Sequence, residues 1–131
     1  MVLDTNVLVR HWGNSRGGTP LASFRAGDVQ SWARRLIDNE RTDAIVTPVY
    51  LEFVCGTGDQ SELLLERAYL KAFMIVDKGK ISAADWKEAR RLAEWVPSSR
   101  RPRNMGDCLI RAIAHRLGYD VRTFDSGMPR H

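Results

Sequence analysis

The apolar positions of the chain change their spacing along its length, and the changes mark its elements. Met1-Val2-Leu3 is an unbroken apolar run closed by Asp4, which reads as a short buried strand over 1–4. Residues 5–12 (TNVLVRHW) begin a helix, and the glycine-rich stretch 13–27 reads as a loop. From Asp28 to Glu40 the apolar residues Val29, Trp32, Ala33, Leu36 and Ile37 recur at helical spacing, with Asp28 as N-cap. Residues 43–47 (DAIVT) read as a strand. Thr47-Pro48 then starts a helix, with Thr47 as cap and Pro48 at the first helical position. That helix carries Glu52 and stops near 56–58. A further helix fits 60–73 and leads into the apolar run 73–76. Ser82 and Asp85 have the spacing of a capping box and open a helix to about Val96, halted by Pro97. Residues 97–104 (PSSRRPRN) form a basic loop. Asn104 caps a helix over 105–117 that Gly118 ends, and 119–124 (YDVRTF) is the last strand, with Asp125 behind it.

Strands that alternate with helices imply an α/β fold with a mostly parallel sheet covered on both faces. In such sheets ligands bind at the carboxyl ends of the strands. The 131 residues suit one domain spanning 1–131, and a chain of this size buries roughly 68% of its unfolded surface. No apolar run approaches the ~20 residues that a membrane span needs. The sequence opens directly on its first predicted strand, so no signal peptide is expected. Cys55 and Cys108 give neither a disulfide framework nor metal spacing, and are expected to be small buried hydrophobes in a reducing cytoplasm.

The chemistry lies in four acids. Asp4 and Asp125 each follow a predicted strand, so a parallel sheet places both on one edge. Glu52 is in a helix that starts from that edge, and Asp107 is in the first turn of the helix leading to the last strand. Each has a plain structural reading. Asp4 can cap the next helix, Glu52 can be a solvated helix acid, and Asp107 can favour a helix N-terminus or pair with Arg111 at i,i+4. Asp125-Ser126-Gly127 can be a turn. Together they say more. Two carboxylates ~5 Å apart repel by on the order of 3 kcal/mol at an effective dielectric near 20. Four converging acids therefore call for a cation, and hard oxygen ligands select Mg²⁺ or Mn²⁺. Such an ion activates water and holds a phosphate oxygen for in-line attack.

The net charge is +4 and the pI about 9.4. Setting the four acids aside leaves 20 basic against 12 acidic residues, a surface of +8. An acidic pocket in a basic surface suits a metal-dependent enzyme acting on nucleic acid. Arg100, Arg101 and Arg103, just before Asp107, either grip phosphates or form a solvated loop. The glycine-rich stretch lacks the Gly-Lys-Ser/Thr ending of a phosphate loop.

At these residues the sequence resembles the PIN-domain ribonucleases, and most closely the VapC-type toxins of bacterial toxin–antitoxin pairs. The matching pieces are LDTNVL at 3–8, TPVYLEF at 47–53, GDCLIRAIA at 106–114 and TFD at 123–125. The resemblance implies a three-layer α/β/α domain and an acidic quartet of Asp4, Glu52, Asp107 and Asp125 that binds Mg²⁺ or Mn²⁺. It implies Thr5, Asn6 and Thr123 as polar residues supporting those acids. It further implies cleavage of single-stranded or looped RNA, a cognate antitoxin and a homodimer. Many members carry a further acid soon after the fourth. Here Ser126, Gly127 and Met128 follow, which weakens a second metal site.

Rival readings meet specific obstacles. A phosphatase of the haloacid-dehalogenase type needs a second Asp two positions after the first, where this chain has Asn6. A receiver domain needs an Asp after its third strand, and nothing near Glu52 serves. A non-catalytic RNA-binding or partner-binding module with a degenerate site is the rival from another class, and the complete quartet argues against it. His11, His115 and His131 are candidates for proton transfer, but surface, partner-facing or terminal roles suit them better. Trp12, Trp32, Trp86 and Trp95 are expected in the core or an interface rather than as base-stacking platforms.

Overall fold

The computed structural model describes residues 1–56, 59–95 and 105–124. Asn104, Arg100, Arg101, Arg103, Asp125 and His131, together with the Trp95 side chain, lie outside what is described.

Among the described residues four strands of two residues each form two parallel pairs. β1 (Val2–Leu3) pairs in parallel with β4 (Val121–Arg122), Val2 opposite Val121. β2 (Ala44–Ile45) pairs in parallel with β3 (Met74–Ile75). β1 lies against β2, where the Thr42 hydroxyl donates to the Met1 carbonyl at 2.7 Å. Val2, Leu3, Ala44 and Ile45 are all buried. Strands covered on both faces need continuous rather than alternating apolar residues, and these runs supply them.

The helices are α1 (Thr5–Arg16), α2 (Ala26–Glu40), α3 (Thr47–Cys55), α4 (Gln60–Leu70), α5 (Ala83–Trp95) and α6 (Met105–Arg116). With the parallel strands between them they build a three-layer α/β/α fold. α2 packs on α4, and α5 on α6. Four aromatic side chains, one from each of the first four helices, meet around Trp12. Trp32, Phe53 and Tyr69 all present edge-to-face geometry to it, with ring centroids 5.5, 5.6 and 5.0 Å away. Each such pair contributes about 0.5–1.5 kcal/mol beyond its buried area. Among the described residues no helix is long and apolar enough to cross a membrane.

Several predicted boundaries move, each for a visible reason. Asp28 does not cap α2. The helix starts at Ala26, and Asp28, at its third position, accepts from the Arg25 backbone N–H at 2.8 Å. Thr47 is not the cap of α3 but its first residue, with Val46 at the cap. Its N–H and hydroxyl donate instead to Asp77, at 3.1 and 2.8 Å. α1 runs through Gly13 to Arg16, so the predicted loop begins four residues later, and it holds a 3₁₀ turn at Leu21–Ser23. The capping box of Ser82 and Asp85 is formed in both directions, at 2.9 and 3.2 Å. α6 stops at Arg116, and Gly118 follows at φ +79°. Cys108 is buried as expected but Cys55 is exposed, because α3 ends there at the surface. Trp86 stands half in solvent.

Candidate active site

β1 ends at Leu3, and the chain turns at once into α1. Asp4, in extended conformation at that turn, caps the helix by accepting from the Thr5 N–H at 2.7 Å. Capping is one of its tasks, and its carboxylate has a second partner. The Thr123 hydroxyl, one residue past β4, donates to Asp4 Oδ2 at 2.8 Å. The pairing of β1 with β4 makes this contact possible, since the Asp4 N–H also bonds to the Arg122 carbonyl. Asp4 is 2% exposed, so its orientation is fixed by these contacts.

Asn6 completes a relay. Its Oδ1 accepts from the Phe124 N–H at 3.2 Å and its Nδ2 donates to Thr123 Oγ1 at 3.0 Å. The Thr123 proton is thereby directed at Asp4. An Asp in place of Asn6 would offer no donor here and would add a charge beside Asp4.

Glu52 comes in from α3. Thr5 Oγ1 donates to Glu52 Oε1 at 2.7 Å, so Thr5 serves two acids, one through its backbone and one through its side chain. The Glu52 carboxyl lies on the first turn of α6, where Gly106 has no side chain to obstruct it. Burial raises the pKa of Glu52 above its ordinary value, the Thr5 bond opposes this, and the charges of Asp107 and then Asp4 add to the rise. Glu52 therefore feels the charge of Asp4, at the N-cap of α1, and of Asp107, in the first turn of α6.

Sequence reasoning missed two contributors. Asp77, buried just past β3, anchors the start of the helix that carries Glu52. Its signal was available, because an apolar run closed by an acid is also how Asp4 announces itself. Gly106 was visible only as part of GDC, with nothing local to show what would occupy the space above it. Of the histidines, His11 stacks on Tyr69 with its Nδ1 2.8 Å from the phenol oxygen, and burial followed by the Arg35 charge lowers its pKa. It sits half-buried beside the aromatic cluster. His115 is exposed.

Set against descriptions of known protein families, residues 1–131 match the PIN domain. The chain belongs to the PIN domain family. Comparison with curated proteins and with solved structures gives no match. PIN domains are typically nucleases and generally depend on a divalent metal.

The side chains fit such an ion in kind. Asp4, Glu52 and Asp107 offer only hard carboxylate oxygens, the donor type that Mg²⁺ and Mn²⁺ take. The upward push on Glu52 from its acidic neighbours is the burden a cation would relieve. Among the described residues no three acids, histidines or cysteines close tightly enough to share one ion. Asp125, the fourth expected acid, lies outside those residues.

Proposed function

We propose that this PIN domain is a metal-dependent endoribonuclease, the toxin of a toxin–antitoxin pair, hydrolysing RNA phosphodiester bonds. The observation that supports the reading is that Thr5 bonds both Asp4 and Glu52 while the Glu52 carboxyl lies on the turn of α6 that carries Asp107, in a chain whose other residues are strongly basic. In this reading Asp4, Glu52, Asp107 and Asp125 hold Mg²⁺ or Mn²⁺. Thr5, Asn6 and Thr123 position the acids. Arg100, Arg101 and Arg103 contribute phosphate contacts. A cognate antitoxin restrains the activity and the chain works as a homodimer in the cytoplasm.

A bound divalent ion supplies a water of lowered pKa and offsets phosphate charge. The chain's own residues do the rest. Asp4 is held at one orientation by Thr5 and Thr123. Glu52 Oε1 is engaged by Thr5, which holds the carboxylate at the edge where it would take part in binding the ion.

The test is cleavage of cellular RNA by the purified chain, with Mn²⁺ and with EDTA, and with 5′-end sequencing of the fragments. The reading expects discrete metal-dependent cuts that Asp4→Asn and Asp107→Asn each abolish, both variants remaining folded. Wild-type turnover in either variant would refute the site. Binding without cleavage at every metal condition would make the chain a non-catalytic module.

A further inference from the structure

Next to the acidic edge two arginines share one aromatic ring. The Arg10 guanidinium carbon stands 4.8 Å from the centroid of the Phe124 ring and that of Arg122 stands 5.0 Å from it. Phe124 is a large apolar residue left 41% exposed, and Arg122 is 42% exposed. Ordinarily two guanidiniums repel, and a ring face that attracts both offsets that repulsion.

The arrangement is tied to the site by covalent and hydrogen-bonded links. Thr123, between Arg122 and Phe124, donates to Asp4. The Phe124 N–H donates to Asn6. Arg10 lies four residues beyond Asn6 in α1 and so shares its helix face. Arg122 Nε is held by Glu40 at 3.0 Å, which fixes the plane of the guanidinium while leaving its two terminal amino groups to other acceptors. Arg10 is exposed, with the Phe124 ring as its contact among the described residues.

We propose that Arg10 and Arg122, gathered on the ring of Phe124, form a phosphate-binding subsite that holds the RNA backbone beside the acidic edge. The proposal rests on the nuclease reading above and adds the direction in which the strand leaves the cut, over α1 and the end of β4. The ligand is the phosphodiester and not the base. Both arginines already engage the ring, and a guanidinium fork matches phosphate oxygens.

The experiment uses the full chain carrying Asp107→Asn to stop cleavage. Binding of oligouridine and of oligoadenosine is followed by fluorescence anisotropy across a range of KCl. Arg10→Gln, an exposed helical position whose change does not threaten folding, should flatten the log–log salt dependence by about 0.7. Arg10→Gln with Arg122→Gln should flatten it about twice as much, and Arg10→Lys should restore the slope of the single variant. The loss should be equal on the two oligomers. An unchanged slope in Arg10→Gln overturns the subsite, and if the wild-type chain still cuts RNA the nuclease reading survives. A loss confined to one oligomer overturns the phosphate assignment in favour of base recognition. A chain that neither binds nor cuts RNA overturns both.

Discussion

Gly106 lies directly against the carboxyl group of Glu52. A side-chain carbon at position 106 would stand 2.5 Å from Oε2 and 2.7 Å from Cδ. The obstructing atoms are the end of a flexible side chain, so the protein can yield by swinging Glu52 away. Gly106→Ala should therefore keep or slightly raise the melting temperature, since Ala favours a helix over Gly by up to about 1 kcal/mol. Turnover should fall on the order of 100-fold, the cost of a misplaced catalytic group. A variant of normal activity would mean that Glu52 does not act from the position seen here.

Thr123→Val removes the hydroxyl that orients Asp4 and receives Asn6. Activity or metal affinity should drop roughly 10- to 100-fold, as when a ligand loses its supporting partner. Thr123→Ser, which keeps the hydroxyl, should recover most of it. Equal activity in the two variants, measured as kcat and as Mn²⁺ affinity by calorimetry, would show that the relay through Asn6 is not used.

Glu52 has a folded-state pKa above its ordinary value of 4.5. A carboxyl raised in this way favours the folded state when protonated, and that contribution is lost as pH rises through the folded pKa. In metal-free buffer the wild type should gain stability relative to Glu52→Gln as the pH falls toward the ordinary carboxyl range. At neutral pH Glu52→Gln should be the more stable of the two. Added Mn²⁺ should reverse the neutral-pH order. Melting curves at a series of pH values, with EDTA and with Mn²⁺, test all three statements.

Arg116 joins the last turn of α6 to the first turn of α5 through both oxygens of Asp85, at 2.6 and 3.0 Å. Burial alone would raise the Asp85 pKa, but the Arg116 bonds and those from Ser82 outweigh it and bring the group below its ordinary 3.8. The stability so gained is present above the unfolded pKa and lost as pH falls through the folded one. Arg116→Ala should cost roughly 1–3 kcal/mol at neutral pH in urea denaturation. The deficit should shrink below about pH 4. A deficit constant down to pH 2 would assign the loss to packing instead of charge.

Much of this was legible locally. The turn at Asp4 follows from an apolar run closed by an acid, the Ser82–Asp85 box from its spacing, and the end of α6 from Gly118. Local signals failed where the partner was distant. Thr47 looks like a cap because nothing nearby shows that Asp77, 30 residues on, takes its hydrogen bonds. Asp28 looks like a cap because Arg25 has no capping side chain, yet it serves from the third position. Gly13 looks like a breaker, but Val7, Leu8 and Trp12 bury one face of α1 and carry the helix past it. The site residues Thr5, Asn6 and Thr123 could be named from a motif, while the bonds linking them depend on a strand pairing that closes only in three dimensions.

That pairing sets an order of events during folding. The hydroxyl that aims Asp4 belongs to a residue 119 positions later in the chain. Closing so long a loop is entropically costly and comes late in folding. Until β4 has paired with β1, Asp4 lacks the Thr123 hydroxyl and Asn6 lacks both Thr123 and the Phe124 amide. A chain in which the two strands are still apart therefore lacks the oriented Asp4 on which the proposed activity rests. The edge that carries the proposed activity is thus complete only once β1 and β4 have met.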